Sequence, residues 1–198
     1  MIVKLIQCAV YKDKTSQFST SQKAWSALSN APGFIAQFGG WADVTNDNLN
    51  ENNEDENNSE NPLAVIIGFW ESIDTYQHFM ENIHDSIFTE NEQATSYDSS
   101  RSSVTLWSNK KFSDHSSGNR TDITISAKQI VEKLSQAPSF SFCMLDDIDG
   151  ISDRIDDSTM LIFNPLDKQG GIHHRLVIST IPTTDTKTIN NESSWLVI

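Results

Sequence analysis

Leu63 to Trp70, LAVIIGFW, is the stretch that most narrows what this chain can fold into. An unbroken apolar run of strand length, rich in Val, Ile and aromatic residues, suits a strand covered on both faces. The period then changes. Ile73, Tyr76, Met80, Ile83 and Ile87, with Phe79 and Phe88 beside them, fall on one face of a helix running from Ser72 to Phe88. Ser72 is placed as its N-cap, and Asp74 lies in the first turn, where the helix dipole favours a negative charge. A doubly covered strand that feeds an amphipathic helix requires a mixed α and β domain.

The segment before this stretch extends the pattern. Ile2 to Tyr11 reads as a first strand, apolar on both alternating faces except at Lys4 and Gln7. A helix follows over Gln17 to Asn30, with Phe18, Ser21, Trp25 and Leu28 on one face, and Pro32-Gly33 ends it. Phe34 to Trp41 is a second strand, whose Gly39-Gly40 pair marks a bulge or a close backbone approach. Ala42 to Pro62 turns abruptly to Asn, Asp and Glu. No apolar face can be drawn on it, so a disordered acidic loop is expected over 42–62. A calcium loop would need a glycine for its sharp turn, and this run has none. Ser103 to Trp107 supplies a further strand. The order strand, helix, strand, strand, helix, strand is that of a ferredoxin-like βαββαβ sandwich in the α+β class.

The second half is less regular. Leu28-Ser29-Asn30-Ala31-Pro32-Gly33-Phe34 recurs as Leu134-Ser135-Gln136-Ala137-Pro138-Ser139-Phe140, each time behind a helix, here Ala127 to Gln136. Thr159 to Asn164 and Ser193 to Ile198 are loose counterparts of the strands at Val65 to Phe69 and Ser102 to Trp107. Ile172 to Ile181 reads as a strand after a Gly170-Gly171 turn. Two units are expected, 1–108 and 122–198, the second either a degenerate ferredoxin-like repeat or a β-rich appendage. Asn109 to Thr121 has the composition of the linker between them.

Charge and composition exclude several functions. The chain of 198 residues carries 27 acidic against 14 basic residues, a formal charge of -13. Such a polyanion repels nucleic-acid phosphates and anionic membranes. No apolar run reaches membrane-span length, and no signal peptide is legible, so a cytoplasmic protein is expected. Cys8 and Cys143 sit inside expected strands as buried thiols. They and His84 and His115 lack metal-ligand spacing, and neighbouring His173 and His174 point to opposite faces of a strand. No metal and no cofactor is expected, and no nucleophile elbow, phosphate loop or dinucleotide fingerprint occurs.

The candidate site residues are polar or aromatic groups near the expected sheet-helix interface. His84 lies at the margin of the apolar face of the second helix, where it either moves a proton in a pocket or is a satisfied, half-buried side chain. Asp85, its neighbour, is expected to point elsewhere. Trp25, Trp41 and Trp70 either line a cavity or fill the core. Gln7 and Gln37 are strand amides that need partners if buried, and that offer a ligand both a donor and an acceptor.

WSALSNAPGFIAQFGGW (Trp25 to Trp41) and GFWESIDTYQHFMENIHDSIF (Gly68 to Phe88), in this element order, resemble the dimeric α+β barrel superfamily. That group includes antibiotic-biosynthesis monooxygenases and heme-degrading monooxygenases, and the second motif looks particularly like a bacillar subgroup. The resemblance covers residues 1 to about 107. It implies that two ferredoxin-like sheets pair face to face, either in a homodimer or within one chain. Heme-degrading relatives use an Asn on the first strand and a Trp and a His on the second helix. Here Gln7 or Cys8 stands near the first position, Phe79 near the second, and Glu90 or Asn91 near the third, with His84 about a turn and a half too early. The resemblance therefore points away from heme. It implies cofactor-independent oxidation or binding of a small aromatic or quinone-like molecule by His84, Gln7, Trp25, Gln37, Trp41 and Trp70. The alternative is a non-catalytic structural or regulatory module.

Overall fold

The computed structural model describes residues 1–43, 61–108, 127–145, 160–166, 175–180 and 186–198. The acidic run over 44–60, the expected linker, His115, His173 and His174 lie outside the described residues. The first half contains strands β1 (Ile2–Val10), β2 (Phe34–Ala42), β3 (Leu63–Trp70) and β4 (Tyr97–Ser108). Its helices are α1 (Thr15–Gln22), α2 (Ile73–Asn82) and α3 (His84–Glu90). Helix α4 (Ala127–Gln136) then precedes strands β5 (Ser139–Leu145), β6 (Met160–Pro165), β7 (Arg175–Ser179) and β8 (Lys187–Asn191).

The eight strands form a closed antiparallel barrel in the order β1-β3-β2-β8-β5-β7-β6-β4. Each half contributes four adjacent strands. The first half runs β2-β3-β1-β4, and the second runs β6-β7-β5-β8, the same order by rank. The last strand of each half meets the second strand of the other. Gly40 to Ala42 pair with Asn191 to Ile189, and Trp107 and Ser108 pair with Pro165 and Asn164. Pairing of two sheets, expected from the doubly apolar strands, thus occurs within one chain.

Strand alternation sorts the side chains into an inner and an outer layer. Val3, Leu5, Phe38, Val65, Ile67 and Phe69 of the first half share the barrel interior with Phe140, Phe142, Phe163, Leu176, Ile178 and Ile189 of the second. Phe38 stacks on Phe69 at 5.3 Å and meets Phe140 edge-on at 5.2 Å, so aromatic contact runs from one sheet to the other. Val131 and Leu134 bring the apolar edge of α4 into the same cluster. Outward-facing residues of β1, β2 and β3 lie beneath the helices of the first half.

Several elements differ from the sequence expectation. The helix over Gln17 to Asn30 is α1 followed by a 3-10 helix, Lys23–Asn30. Trp25, Leu28 and Ala31 are buried at intervals of three, the period of a 3-10 rather than an α-helix. The helix from Ser72 does begin on a Ser72 cap. Thr75 N–H donates to Ser72 Oγ at 3.2 Å, and Ser72 N–H donates to Thr75 Oγ1 at 3.3 Å. It breaks at Ile83, however, whose φ of -126° leaves helical geometry, and α3 restarts at His84.

The repeated helix-Ala-Pro-strand joint enters β2 in the first half and β5 in the second. Those strands hold different positions, since β2 lies at the margin of its sheet and β5 between β7 and β8. The joint is a local solution to stopping a helix, and it does not align the halves. Ser193 to Ile198 is not the final strand either. That strand is Lys187–Asn191, and a 3-10 turn, Ser193–Trp195, then tucks the fully buried Trp195 against Phe18 and Trp41 at 5.6 and 5.3 Å. Beyond it only Val197 pairs again, with Gln37, through reciprocal 2.9 Å bonds.

The Gly39-Gly40 pair is a site of close backbone approach. A methyl group at Gly40 would collide with the carbonyl oxygen of Asn190, and one at Gly39 with that of Val65. Gly40 lies in the seam between the halves, so Gly40→Val should open it. A loss of about 3 kcal/mol or more is expected, from overpacking against backbone that cannot yield, seen as a lower urea midpoint. An unchanged midpoint would show that the seam tolerates a side chain there.

Candidate functional site

Most of the candidate residues lie in the outer layer of the first sheet. His84 opens α3, and the break at Ile83 turns its ring toward the 3-10 helix and the end of α2. It lies 5.6 Å from Trp25, 5.7 Å from Phe79 and 5.5 Å from Phe88, stacked on the last at 20°. Its side chain is 18% exposed, and Nδ1 is 2.9 Å from Asp85 Oδ1. A carboxylate accepts only, so Nδ1 carries a proton, and it is the neutral form of the ring that presents a lone pair at Nε2. Asp85 was expected to point elsewhere. Instead the two side chains meet in the first turn of α3.

Trp25 and Trp70 belong to this aromatic layer. Trp25 Nε1 donates to Gln93 Oε1 at 2.7 Å. Trp70, at the end of β3, stacks on Phe79 at 4.7 Å and meets Tyr76 at 5.9 Å. Trp41 is separate, packed between Phe18 and Trp195 near the opposite end of β2. Gln7 is separated further. It follows Val3 and Leu5 on the inner face of β1, so the sheet stands between it and His84. The structure therefore brings His84, Trp25 and Trp70 together, and leaves Gln7 and Trp41 elsewhere.

Gln37 occupies a third setting, which composition and spacing did not disclose. On the outer face its neighbour across β3 is Gly68, and the neighbour of Gly68 across β1 is Lys4. Gln37 is 6% exposed and its amide nitrogen has no hydrogen-bond partner. Lys4 is 8% exposed. Its ammonium touches the Met80 thioether at 3.8 Å and lies 5.6 Å from the centre of the Tyr76 ring. Among the described residues no carboxylate is within ion-pair distance of it. Burial pulls its pKa down to about 8, partly offset by Cys8, whose own thiol burial pushes up to about 11. Burial also raises the Tyr76 hydroxyl. The sequence signal for Lys4 was its position as a charge in a strand apolar on both faces.

Other places offer less. A shallow depression of about 430 Å³ lies on the helix exterior, lined by polar residues of α1 with Ala24, Asn91 and Glu92, and does not include His84. Among the described residues no three His, Cys, Asp or Glu side chains converge on a metal position. No described helix is long and apolar enough to cross a membrane. Cys8 and Cys143 are outside disulfides.

Residues 2–107, which hold β1 to β4 and the aromatic layer, match the model of a domain of unknown function, DUF4937. The chain belongs to that family. It is 39% identical over 93 residues to the uncharacterized protein YdbC of Bacillus subtilis (strain 168), an alignment covering 47% of this chain and 67% of that protein. Its fold is similar to that of two crystallised proteins each described as a "putative monooxygenase". The one from Lactobacillus acidophilus NCFM superposes with a TM-score of 0.55 at 9% identity, over 99% of this chain and 95% of that one. The one from Fusobacterium nucleatum gives 0.51 at 8%, over 98% and 77%. At such identities the likeness is one of fold. It extends through both halves, whereas the DUF4937 match ends with β4.

Lys4 makes the electrostatics of this DUF4937 layer measurable. Below about pH 8 the ammonium is protonated in both folded and unfolded chains, and its burial penalty is fully present. Between about 8 and the ordinary 10.5 the folded chain releases a proton that the unfolded chain keeps, so this contribution rises with pH. Lys4→Met should therefore raise stability at pH 7 by up to about 3 kcal/mol, an advantage that shrinks as pH approaches 10.5. Paired denaturation curves of variant and wild type check this. A difference that does not vary with pH would place the ammonium in water.

Proposed function

We propose that the chain binds a small aromatic or quinone-like molecule between its first sheet and the helices over it, and oxidises it as a cofactor-independent monooxygenase. The observation that carries this reading is the His84-Asp85 bond set among Trp25, Phe79 and Phe88. The rings suit a flat substrate, and Nε2 of His84 suits removal of a phenolic O–H proton. The resulting anion is electron-rich enough to reduce dioxygen. A C–O bond forms at the ring carbon para to the phenolate, and that carbon then loses its hydrogen as a proton while the O–O bond breaks. The product is the quinone, with the second oxygen leaving as water, so the substrate supplies all four electrons. Trp25 and Trp70 hold the ring in this reading, and Gln37 supplies a hydrogen bond. Gln7 and Trp41 take no part.

The same reading treats the halves, 1–108 and 122–198, as two ferredoxin-like units, the second degenerate. The shared strand order supports it, and their pairing within one chain takes the place of a homodimer.

A non-catalytic module is the second reading, favoured by how completely the rings fill their own layer. Trp25, Trp70 and Phe79 are 8%, 1% and 2% exposed. The two readings separate in one assay on the full chain, with 1-naphthol and 1,4-naphthoquinone as probes. A bound ligand raises the melting temperature, and an oxidised one consumes dioxygen. Catalysis predicts both for the wild type and loss of about 100-fold or more of the uptake rate in His84→Ala. No thermal shift with either probe, or equal uptake in the variant, leaves the structural module.

A further inference from the structure

The row Gln37, Gly68, Lys4 crosses β2, β3 and β1 on the outer face of the sheet. Neighbouring strands lie about 4.8 Å apart. The amide of Gln37 and the stem of Lys4 therefore flank a residue that has no side chain. The glycine is not there for want of room. Methyl groups at Gly33, Gly39 and Gly40 would strike neighbouring atoms, but at Gly68 the nearest atom within 4 Å is Trp70 Nε1, at an ordinary contact distance of 3.7 Å. Nor does Gly68 have the positive φ that marks Gly33. It leaves a hollow.

Three hydrogen-bond donors gather around that hollow. Lys4 brings an ammonium, Gln37 an amide N–H₂ without an acceptor, and Trp70 an indole nitrogen 3.7 Å from the vacant Cβ position. A buried cation with no counter-charge among the described residues and a buried amide donor without an acceptor both cost stability, so an oxygen acceptor here would satisfy both. Ring faces adjoin. Tyr76 lies under the Lys4 ammonium and against Trp70. Cys8, on the same face of β1, is the other titratable group that Lys4 feels. Met80, half-buried and flexible, covers the ammonium from α2 and can move aside.

We propose that this hollow over Gly68 is a subsite for the oxyanion of a small aromatic acid, bound by Lys4, Gln37 and Trp70. The inference deepens the preceding reading and rests on it for the aromatic character of the ligand. Carboxylate and phenolate oxygens share the required chemistry, so benzoate and 4-nitrophenolate serve as separate probes. Benzamide, which has the shape without the charge, is the control. The overall charge of -13 disfavours indiscriminate anion binding at the surface, so a response to benzoate would point to a local cation.

Calorimetric titration of the full chain at pH 7 tests it. Benzoate or 4-nitrophenolate should bind, whichever fits defining the acid class, and benzamide should bind about tenfold more weakly or worse. Lys4→Met, expected to fold well, should lose about tenfold or more in affinity. Gly68→Ala should melt at or above the wild-type temperature, because its methyl group fits, yet lose binding because that group fills the hollow. The titration midpoint of the Lys4 ε-carbon resonance should move up when the anion is present. Absence of binding by both anions, or unchanged affinity in both Lys4→Met and Gly68→Ala, overturns the subsite. His84→Ala separates it from the oxidation. Retained anion binding without oxidation by the wild type would end the monooxygenase reading alone.

Discussion

Closure of the barrel depends on two short seams, where the last strand of each half meets the second strand of the other. Most of the sheet is held by ladders within a half, such as β1 with β3 from Ile2↔Trp70 to Ala9↔Leu63. The seams have far fewer pairs, so their fit is set by backbone approach. At one of them Gly40 leaves no room for a side chain beside the Asn190 carbonyl. The seam continues beyond the ladder, as Glu192 N–H donates to Gly39 O and Asp43 N–H to Thr188 O, both at 2.9 Å. With the seams closed, one face of every strand becomes interior, and phenylalanines of both halves can share a core. The outer face of the first sheet is then the one that its helices cover.

The sequence made the first half legible because its signals were local and agreed with one another. The apolar run of β3, the cap at Ser72 and the stop at Pro32-Gly33 each act over a few residues, and each holds in the structure. Gly39-Gly40 also announced a close approach, though not the strand that approaches. The second half was obscure for a physical reason. Its strands are short, its one described helix precedes the first of them, and the likeness to the first half lies in strand order. Order leaves no residue pattern. The helix-Ala-Pro-strand joint does leave one, and it proved to be a shared local turn at two unlike positions.

The candidate site was legible in its members more than in its grouping. Alternation along β1 places Gln7 on the face opposite Lys4, a distinction available once one face is known to be interior. The break at Ile83 had no such signal. The segment contains neither Gly nor Pro, and the apolar spacing of Tyr76, Met80, Ile83 and Ile87 continues across it. Just beyond that break His84 lies against three rings, with Asp85 at its Nδ1. Trp195 was equally hidden, since a tryptophan close to the end of the described chain gives no indication that it will pack under α1.

A single aromatic layer joins the two polar centres. Trp70 touches the hollow over Gly68 with its indole nitrogen and stacks its ring on Phe79, which in turn adjoins His84. Tyr76 meets both Trp70 and the Lys4 ammonium. The two centres differ in counter-charge: among the described residues Lys4 has no anion within ion-pair distance, whereas Asp85, 93% exposed in its side chain, orients His84 from the solvent side. An aromatic molecule whose oxyanion sat over Gly68 would supply the missing charge at one centre while its ring adjoined Trp70. Charge at Lys4 and stacking at Trp70 would then fix which edge of the ring could approach His84, making orientation the property that links the two centres.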